Sequence, residues 1–236
     1  MELQGKNAII TGGSRGIGYA VAKRFVREGI NVVITARTTK ALEQAAEELA
    51  EVGEGEVSAI PGDVSNHGHV VQLVKDTLEQ YEAIDILVNN AGISVHGSID
   101  ELSGADFQRV LEINLLGTFL LTHEVLPHMK ERQSGYIYNI ASYAGVKGLP
   151  GSGAYGASKA GIIRFSESLQ REVTGDRIKV MAICPAFVET QMAEHSGVNS
   201  DEMIQPGDIA ETILYYLRLS PATVIRQIVL ERFGSV

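Results

Sequence analysis

The chain has 236 residues, 44% of them hydrophobic, with 20 basic and 29 acidic side chains and a formal net charge of −9. That length fits one α/β domain with a full apolar core. The acidic balance argues against a nucleic-acid partner, which calls for a basic surface. No apolar stretch reaches the roughly 18 residues that cross a bilayer. The start, Met1-Glu2-Leu3-Gln4-Gly5-Lys6, lacks the charged and apolar regions of a secretion signal. A single cysteine, Cys184, lies in an apolar run and rules out an intramolecular disulfide. The expectation is a cytoplasmic protein with no membrane partner.

In chain order, short apolar runs predict strands at 8–11, 32–35, 57–60, 86–89, 136–140, 179–183 and 224–230. Longer patterns with helical spacing fall between them, at 40–52, 69–81, 107–132, 154–173 and 208–217, and another follows the first strand. This alternation is that of repeated βα units around a parallel sheet. Several strands are nearly continuous apolar runs, as expected where helices cover both faces. No internal repeat or linker divides the chain, so residues 1–236 read as one domain.

Two constellations carry chemistry. Directly after the first strand, Thr11-Gly12-Gly13-Ser14-Arg15-Gly16-Ile17-Gly18 sets Gly12, Gly16 and Gly18 in a G-x-x-x-G-x-G spacing. Such a turn lets backbone amides and a helix N-terminus approach a pyrophosphate, although glycine turns also close βα units for steric reasons alone. Further on, Tyr155 and Lys159 are one helical turn apart and project from the same face. A free phenol titrates near pH 10, and a neighbouring ammonium favours its ionised form. Ser142 lies thirteen residues before Tyr155. His67-Gly68-His69 offers two imidazoles without the cysteines or acids that complete a metal site, so no metal is expected.

Together these residues resemble the short-chain dehydrogenase/reductase family over nearly the whole chain. The resemblance implies a Rossmann fold, a doubly wound seven-stranded parallel sheet with helices on both faces. It makes Tyr155 the proton donor in carbonyl reduction, with Lys159 lowering its pKa and holding the nicotinamide ribose. Ser142 would hydrogen-bond the substrate carbonyl, and Asn114 would hold a water behind the lysine. Cofactor contacts would come from Gly12, Ser14, Arg15, Gly16, Ile17 and Gly18. Asp63 and Val64 would face the adenine, Asp63 equally serving as a turn or helix cap. Asn90, Ala91 and Gly92, in Asn89-Asn90-Ala91-Gly92, would border the ribose, and Pro185, Val188 and Thr190 the nicotinamide.

NAD-preferring relatives carry an acid at the tip of the second strand, where this chain has Thr35-Ala36-Arg37-Thr38. Arg37 and Arg15 suit a 2′-phosphate, with Thr38 beside them, so NADP(H) is the expected cofactor; both arginines could equally be solvent-facing surface groups. His96 borders either the substrate mouth or open solvent.

The wider resemblance is to bacterial 3-oxoacyl-acyl-carrier-protein reductases and related carbonyl reductases. It offers Lys130, Arg132 and Arg171 as contacts for an acidic acyl carrier protein, or equally as helix-end bases. The loop 191–207, with Met192, His195, Gly197 and Pro206, is shorter than in those reductases, and the C-terminal stretch 228–234 lacks their frequent late glycine pair. The expected function is therefore reduction of a ketone, a 3-oxoacyl thioester among the candidates, to a secondary alcohol. Alternatives are a general small-carbonyl reductase or hydroxy-acid dehydrogenase, and, from another class, a dinucleotide-binding regulatory protein. The long helices 107–132 and 154–173 would serve either a homodimer or homotetramer interface, or the core.

Overall fold

A computed structural model describes residues 3–194 and 196–234; His195, placed by the sequence at the substrate entrance, lies outside the described residues. Seven strands, β1 (Asn7–Thr11), β2 (Asn31–Thr35), β3 (Val57–Ala59), β4 (Ile86–Asn89), β5 (Gly135–Ile140), β6 (Ile178–Pro185) and β7 (Gln227–Leu230), form one sheet in the order β3-β2-β1-β4-β5-β6-β7. Every pairing is parallel. Intervening helices are α1 (Gly16–Arg27), α2 (Thr39–Ala50), α3 (His67–Tyr81), α4 (Gly104–Leu111), α5 (Gly117–Arg132), α6 (Gly153–Glu172) and α7 (Pro206–Arg218). This is the doubly wound, Rossmann-type α/β arrangement expected from the sequence.

The strands bury both faces because successive side chains point to opposite sides. Ile10, Val32, Ile34, Ile86, Val88, Tyr138 and Met181 pack beneath α1, α2 and α7. Their neighbours Ile9, Val33, Leu87, Ile137 and Val180 pack against α3, α5 and α6. Strands β1, β2, β4, β5 and β6 are therefore buried along nearly their whole length, which is why the sequence reads there as largely apolar runs, whereas the edge strands β3 and β7 are only partly buried.

Most boundaries shift by one or two residues from the sequence reading, and three differences stand out. The segment 107–132 is not one helix: α4 and α5 are separated by a π-helical turn, Glu112–Leu116, which contains Asn114. A wide turn of this kind adds a residue without ending the helix, so apolar periodicity runs through it unseen. The last strand begins at Gln227 instead of 224, since Ser220 to Thr223 form a turn first. Strand β3 stops at Ala59. Among the described residues no helix is long and apolar enough to cross a membrane.

At the sheet centre a buried polar chain ties the site-bearing ends to the helices. Asn89 Nδ2 donates to Asn139 Oδ1 at 2.8 Å and to Thr122 Oγ1 at 3.0 Å. Asn139 Nδ2 in turn donates to Ser166 Oγ at 2.8 Å. The links join β4 to β5, β4 to α5 and β5 to α6, one strand residue below the loops that carry the functional groups. Each buried amide left unpaired would cost about 1–3 kcal/mol.

Candidate active site

The chain moves outward from β1 to β3 and then crosses to β4 on the other side of β1, so the order reverses between β1 and β4. Such a switch point opens a crevice at the carboxyl ends of the strands, the usual ligand position in an open α/β sheet. All the sequence-identified motifs following β1, β4, β5 and β6 fall at this end.

On one side of the crevice lies the glycine turn. Gly12 and Gly16 have φ of 64° and 58°, a region that a β-carbon disfavours. At Gly18 a β-carbon would lie 2.4 Å from Gly12 O and 2.6 Å from Asn90 Nδ2. Helix α1 follows with no side-chain cap among the described residues and no acid in its first turn. Its first amides are thus open to an anion, next to the backbone of Ser14 and Arg15 and to the half-buried Ile17. This cradle fits a dinucleotide pyrophosphate.

Asn90 fastens the cradle to β4. Its side-chain amide donates to Thr11 O at 2.8 Å and to Gly12 O at 3.3 Å. Thr11 Oγ1 accepts from the backbone N–H groups of both Asn90 and Ala91, each at 2.8 Å. The sequence reading placed Thr11 at the end of a strand and the head of the glycine motif, with no role of its own. A hydroxyl residue immediately before the glycine turn was its one signal.

Arg37 and Thr38 are exposed beyond the tip of β2, on the cofactor side. Asp63 is held by Ser65, whose backbone N–H and hydroxyl donate to Oδ1 at 2.9 and 2.6 Å. Burial raises its pKa, but the Ser65 hydrogen bonds and the charges of Arg37 and Arg109 carry the net shift downward. The turn reading of Asp63 therefore has a structural basis, and Arg109 joins its field from α4 without any sequence signal. Val64 packs toward Gly117. Arg15 is also exposed, and its guanidinium donates to Gln191 Oε1, in the loop after Thr190. Pro185 ends β6, Val188 is buried and pairs with Ile204, and Thr190 Oγ1 donates to Val188 O at 3.3 Å.

Three of the residues that the sequence marks for catalysis gather across the crevice. Ser142 follows β5, and Tyr155 and Lys159 stand on α6, whose first turn packs near the Tyr143–Gly145 turn. Lys159 is 4% exposed; its Nζ donates to Ile140 O at 2.7 Å and lies 5.6 Å from the Tyr155 ring centroid. Burial lowers its pKa from 10.5 to about 8, against a small opposing pull from Cys184. Burial also pushes the Tyr155 phenol above 10.0, and the Ser142 hydroxyl draws it partly back. The sequence reading expected the ammonium to set the phenol's pKa downward. In the structure, loss of water around the phenol raises it, and the Ser142 hydroxyl is what opposes that rise. Cys184 lies wholly buried, its thiol pushed up to about 11 by burial, as an inert structural group.

Asn114 is fully buried in the π turn. Its Oδ1 accepts from Ile93 N at 2.8 Å, and its Nδ2 donates to Ile93 O and Ser158 Oγ, both at 3.0 Å. A β-carbon on Gly92 would lie 3.2 Å from Asn114 Oδ1 and 3.6 Å from Lys159 Nζ. Asn114 thus fixes the loop after β4 beside the lysine. The proposed metal-free histidine pair begins α3, His67 pairing with Glu124 and His69 accepting from Asp63 N.

Fold and site together define a doubly wound α/β oxidoreductase. The family pattern described as short chain dehydrogenase matches residues 6–201, and the chain belongs to that family. It is 37% identical over 225 residues to a 3-oxoacyl-[acyl-carrier-protein] reductase of Synechocystis, covering 91% of this chain and 90% of that one. Among solved structures it resembles a variant of actinorhodin polyketide ketoreductase with NADPH, at 33% identity and a TM-score of 0.88, over 96% of this chain and 95% of that one. An alcohol dehydrogenase of Thermococcus sibiricus, complexed with 5-hydroxy-NADP, aligns at 29% identity and a TM-score of 0.88, over 96% of each chain.

The buried lysine has a measurable consequence. Between about pH 8 and 10.5 the unfolded chain holds a proton that folded Lys159 has released, so this group makes stability rise with pH across that window. Urea unfolding of the parent and of Lys159→Met should show the parent gaining roughly 3 kcal/mol on the variant over that window. A constant difference would mean that the lysine is not desolvated.

Proposed function

We propose that this chain is an NADPH-dependent reductase converting a ketone to a secondary alcohol, with a 3-oxoacyl thioester as the leading substrate class. The observation that carries the reading is the convergence of Ser142, Tyr155 and Lys159 beside the uncapped glycine turn. Bound NADPH would supply a hydride to the carbonyl carbon. The Ser142 hydroxyl would donate to the carbonyl oxygen as negative charge develops there. Tyr155 would pass its proton to the same oxygen. Lys159, mostly protonated at neutral pH with a pKa of about 8, would stabilise the phenolate and hold the ribose. Asn114 acts through the loop after β4 and is a positioning residue. For the cofactor, Gly12, Ser14, Arg15, Gly16, Ile17 and Gly18 would hold the pyrophosphate, and Arg37 with Thr38 the 2′-phosphate. Asp63 and Val64 would flank the adenine, Asn90, Ala91 and Gly92 the ribose, and Pro185, Val188 and Thr190 the nicotinamide.

Support for an acyl substrate comes from the names of the relatives and from the rim of the crevice. Val146, Leu149, Phe187 and Met192 are large apolar residues left exposed on the loops after β5 and β6, where an apolar substrate body would cover them. Docking of an acyl carrier protein has less support. Lys130 pairs with Asp176, Arg132 with Asp85 and Arg171 with Glu167, so each basic candidate already faces a carboxylate. General small-carbonyl reduction is the second reading, favoured by the short loop 191–207. A purely regulatory dinucleotide binder would have no use for the complete Ser142, Tyr155 and Lys159 set.

We read one domain over residues 1–236, working in the cytoplasm as a homo-oligomer. An apolar groove of about 470 Å³ runs along α4, the π turn, α5 and α6, lined by Leu111, Leu115, Leu116, Phe119 and Phe165. Leu116 and Phe119 are 41% and 44% exposed there, and a second copy would bury them.

With acetoacetyl-CoA as the first substrate, Tyr155→Phe should lower kcat by roughly 100- to 10,000-fold while NADPH affinity, read by fluorescence titration, changes little. Turnover near that of the parent would sink the assigned mechanism. Arg37→Ala should raise the KM for NADPH by about tenfold or more, and that for NADH far less, as expected from loss of a charged hydrogen bond. Equal effects on both would count against phosphate recognition. Size-exclusion chromatography with light scattering should give a dimer or tetramer, and a stable monomer would refute the interface.

A further inference from the structure

Beyond the catalytic set, one side chain stands beside Tyr155 without a role in the reading above. His96 lies in the loop after β4, and its ring centroid is 6.5 Å from that of Tyr155, with the planes inclined by 46°. The imidazole is exposed yet held at both nitrogens. Nε2 meets Ser94 Oγ at 2.7 Å, a full-strength contact, whereas Nδ1 meets Ser152 Oγ at 3.3 Å, a long one.

Ser152 is the N-cap residue of α6, a position where a serine hydroxyl ordinarily accepts from the helix's first amides. Here it makes no such bond and instead faces the histidine. Backbone pairing fixes the same two loops: Gly97 bridges to Ser152, and Gly97 N donates to Gly151 O at 3.0 Å. The ring is thus placed by the fold, three residues from Tyr155 along α6, with one nitrogen firmly anchored and the other loosely held.

We propose that His96 is a specificity-determining residue whose Nδ1–H donates to a second oxygen of the substrate, two carbons beyond the reacting carbonyl carbon. With Ser94 taken as the donor to Nε2, the proton is left on Nδ1. In this assignment Ser142 and Tyr155 take the reacting oxygen, and the imidazole, 6.5 Å from the Tyr155 ring, takes the second one. The site then prefers 3-oxo esters and thioesters over plain ketones. A pocket that offers a donor to a substrate oxygen discriminates against the analogue lacking it, because the donor is left without its partner. This assignment deepens the reductase reading and rests on it.

The test compares ethyl acetoacetate with 2-heptanone, equal in chain length and both uncharged, at saturating NADPH. The readout is the ratio of the two kcat/KM values, in which general damage to the site cancels. His96→Phe should lower that ratio at least tenfold, chiefly through KM for the ester. His96→Gln, which keeps a side-chain N–H, should recover part of the loss. Ser94→Ala, which frees Nε2 but leaves the ring, should lower the ratio by a smaller factor, about threefold. Far-UV circular dichroism and NADPH titration establish that each variant is folded, and the Gln and Ala variants decide the matter if the Phe variant is not. A ratio unchanged in all folded variants would overturn the proposal and make His96 a loop clasp only. Absence of NADPH oxidation by the parent with either substrate, despite NADPH binding, would instead overturn the reductase reading and His96's role with it.

Discussion

The carboxyl ends of β1 and β4 lie side by side, and Asn90 closes them together by donating to Thr11 O and Gly12 O. That contact requires Gly18 to lack a side chain, since a β-carbon would sit inside the contact distance of both Gly12 O and the Asn90 amide. Everything on the cofactor side follows from this close approach. The turn takes its left-handed φ at Gly12 and Gly16, α1 starts immediately afterwards, and its first amides point into the crevice. The same stitch fixes the loop after β4, through Thr11 Oγ1 accepting from Asn90 and Ala91. From there Ile93 engages Asn114 and His96 reaches α6.

Across the crevice the governing effect is desolvation. Lys159 and Tyr155 are both shifted away from their charged forms, the lysine downward and the phenol upward. Taking the lysine out of water is unfavourable for folding, and groups shifted by burial in this way cluster at functional sites. The scaffold offsets that cost with fully paired neighbours. Lysine Nζ reaches a backbone carbonyl, and the asparagines at the strand ends satisfy one another and the serines and threonines of α5 and α6. The apolar mass of the sheet stands behind them on both faces.

The third side of the crevice is built from loops. The stretch after β6 doubles back so that Val188 pairs with Ile204, and Arg15 reaches over to Gln191. Arg15 therefore links the glycine turn to the loop that follows β6. Apolar residues line this rim while polar ones sit at its base, a division that suits a substrate with an oxygenated head and an apolar body.

Alternation of apolar runs with helical patterns was enough to place all seven strands within a few residues, because a sheet covered on both faces needs consecutive apolar side chains. The glycine spacing, the Tyr155–Lys159 pair and the strand-end asparagines were equally readable, since each depends on short-range geometry along one turn or helix. The π turn at Asn114 was not, for a widened turn leaves the apolar pattern of 107–132 intact. Nor could the sequence show that Asp63 is held by Ser65, that Arg109 reaches its field from α4, or that burial raises the Tyr155 phenol. Likewise Ser94, Ser152 and His96 are 56 residues or more apart at their extremes, or too ordinary in their surroundings, to be read as one cluster. The sequence by itself determined the elements, their order and the residue types that can carry the chemistry. Only the tertiary structure decided which groups share a partner and which lose water, because hydrogen bonding and desolvation act across space between segments far apart along the chain.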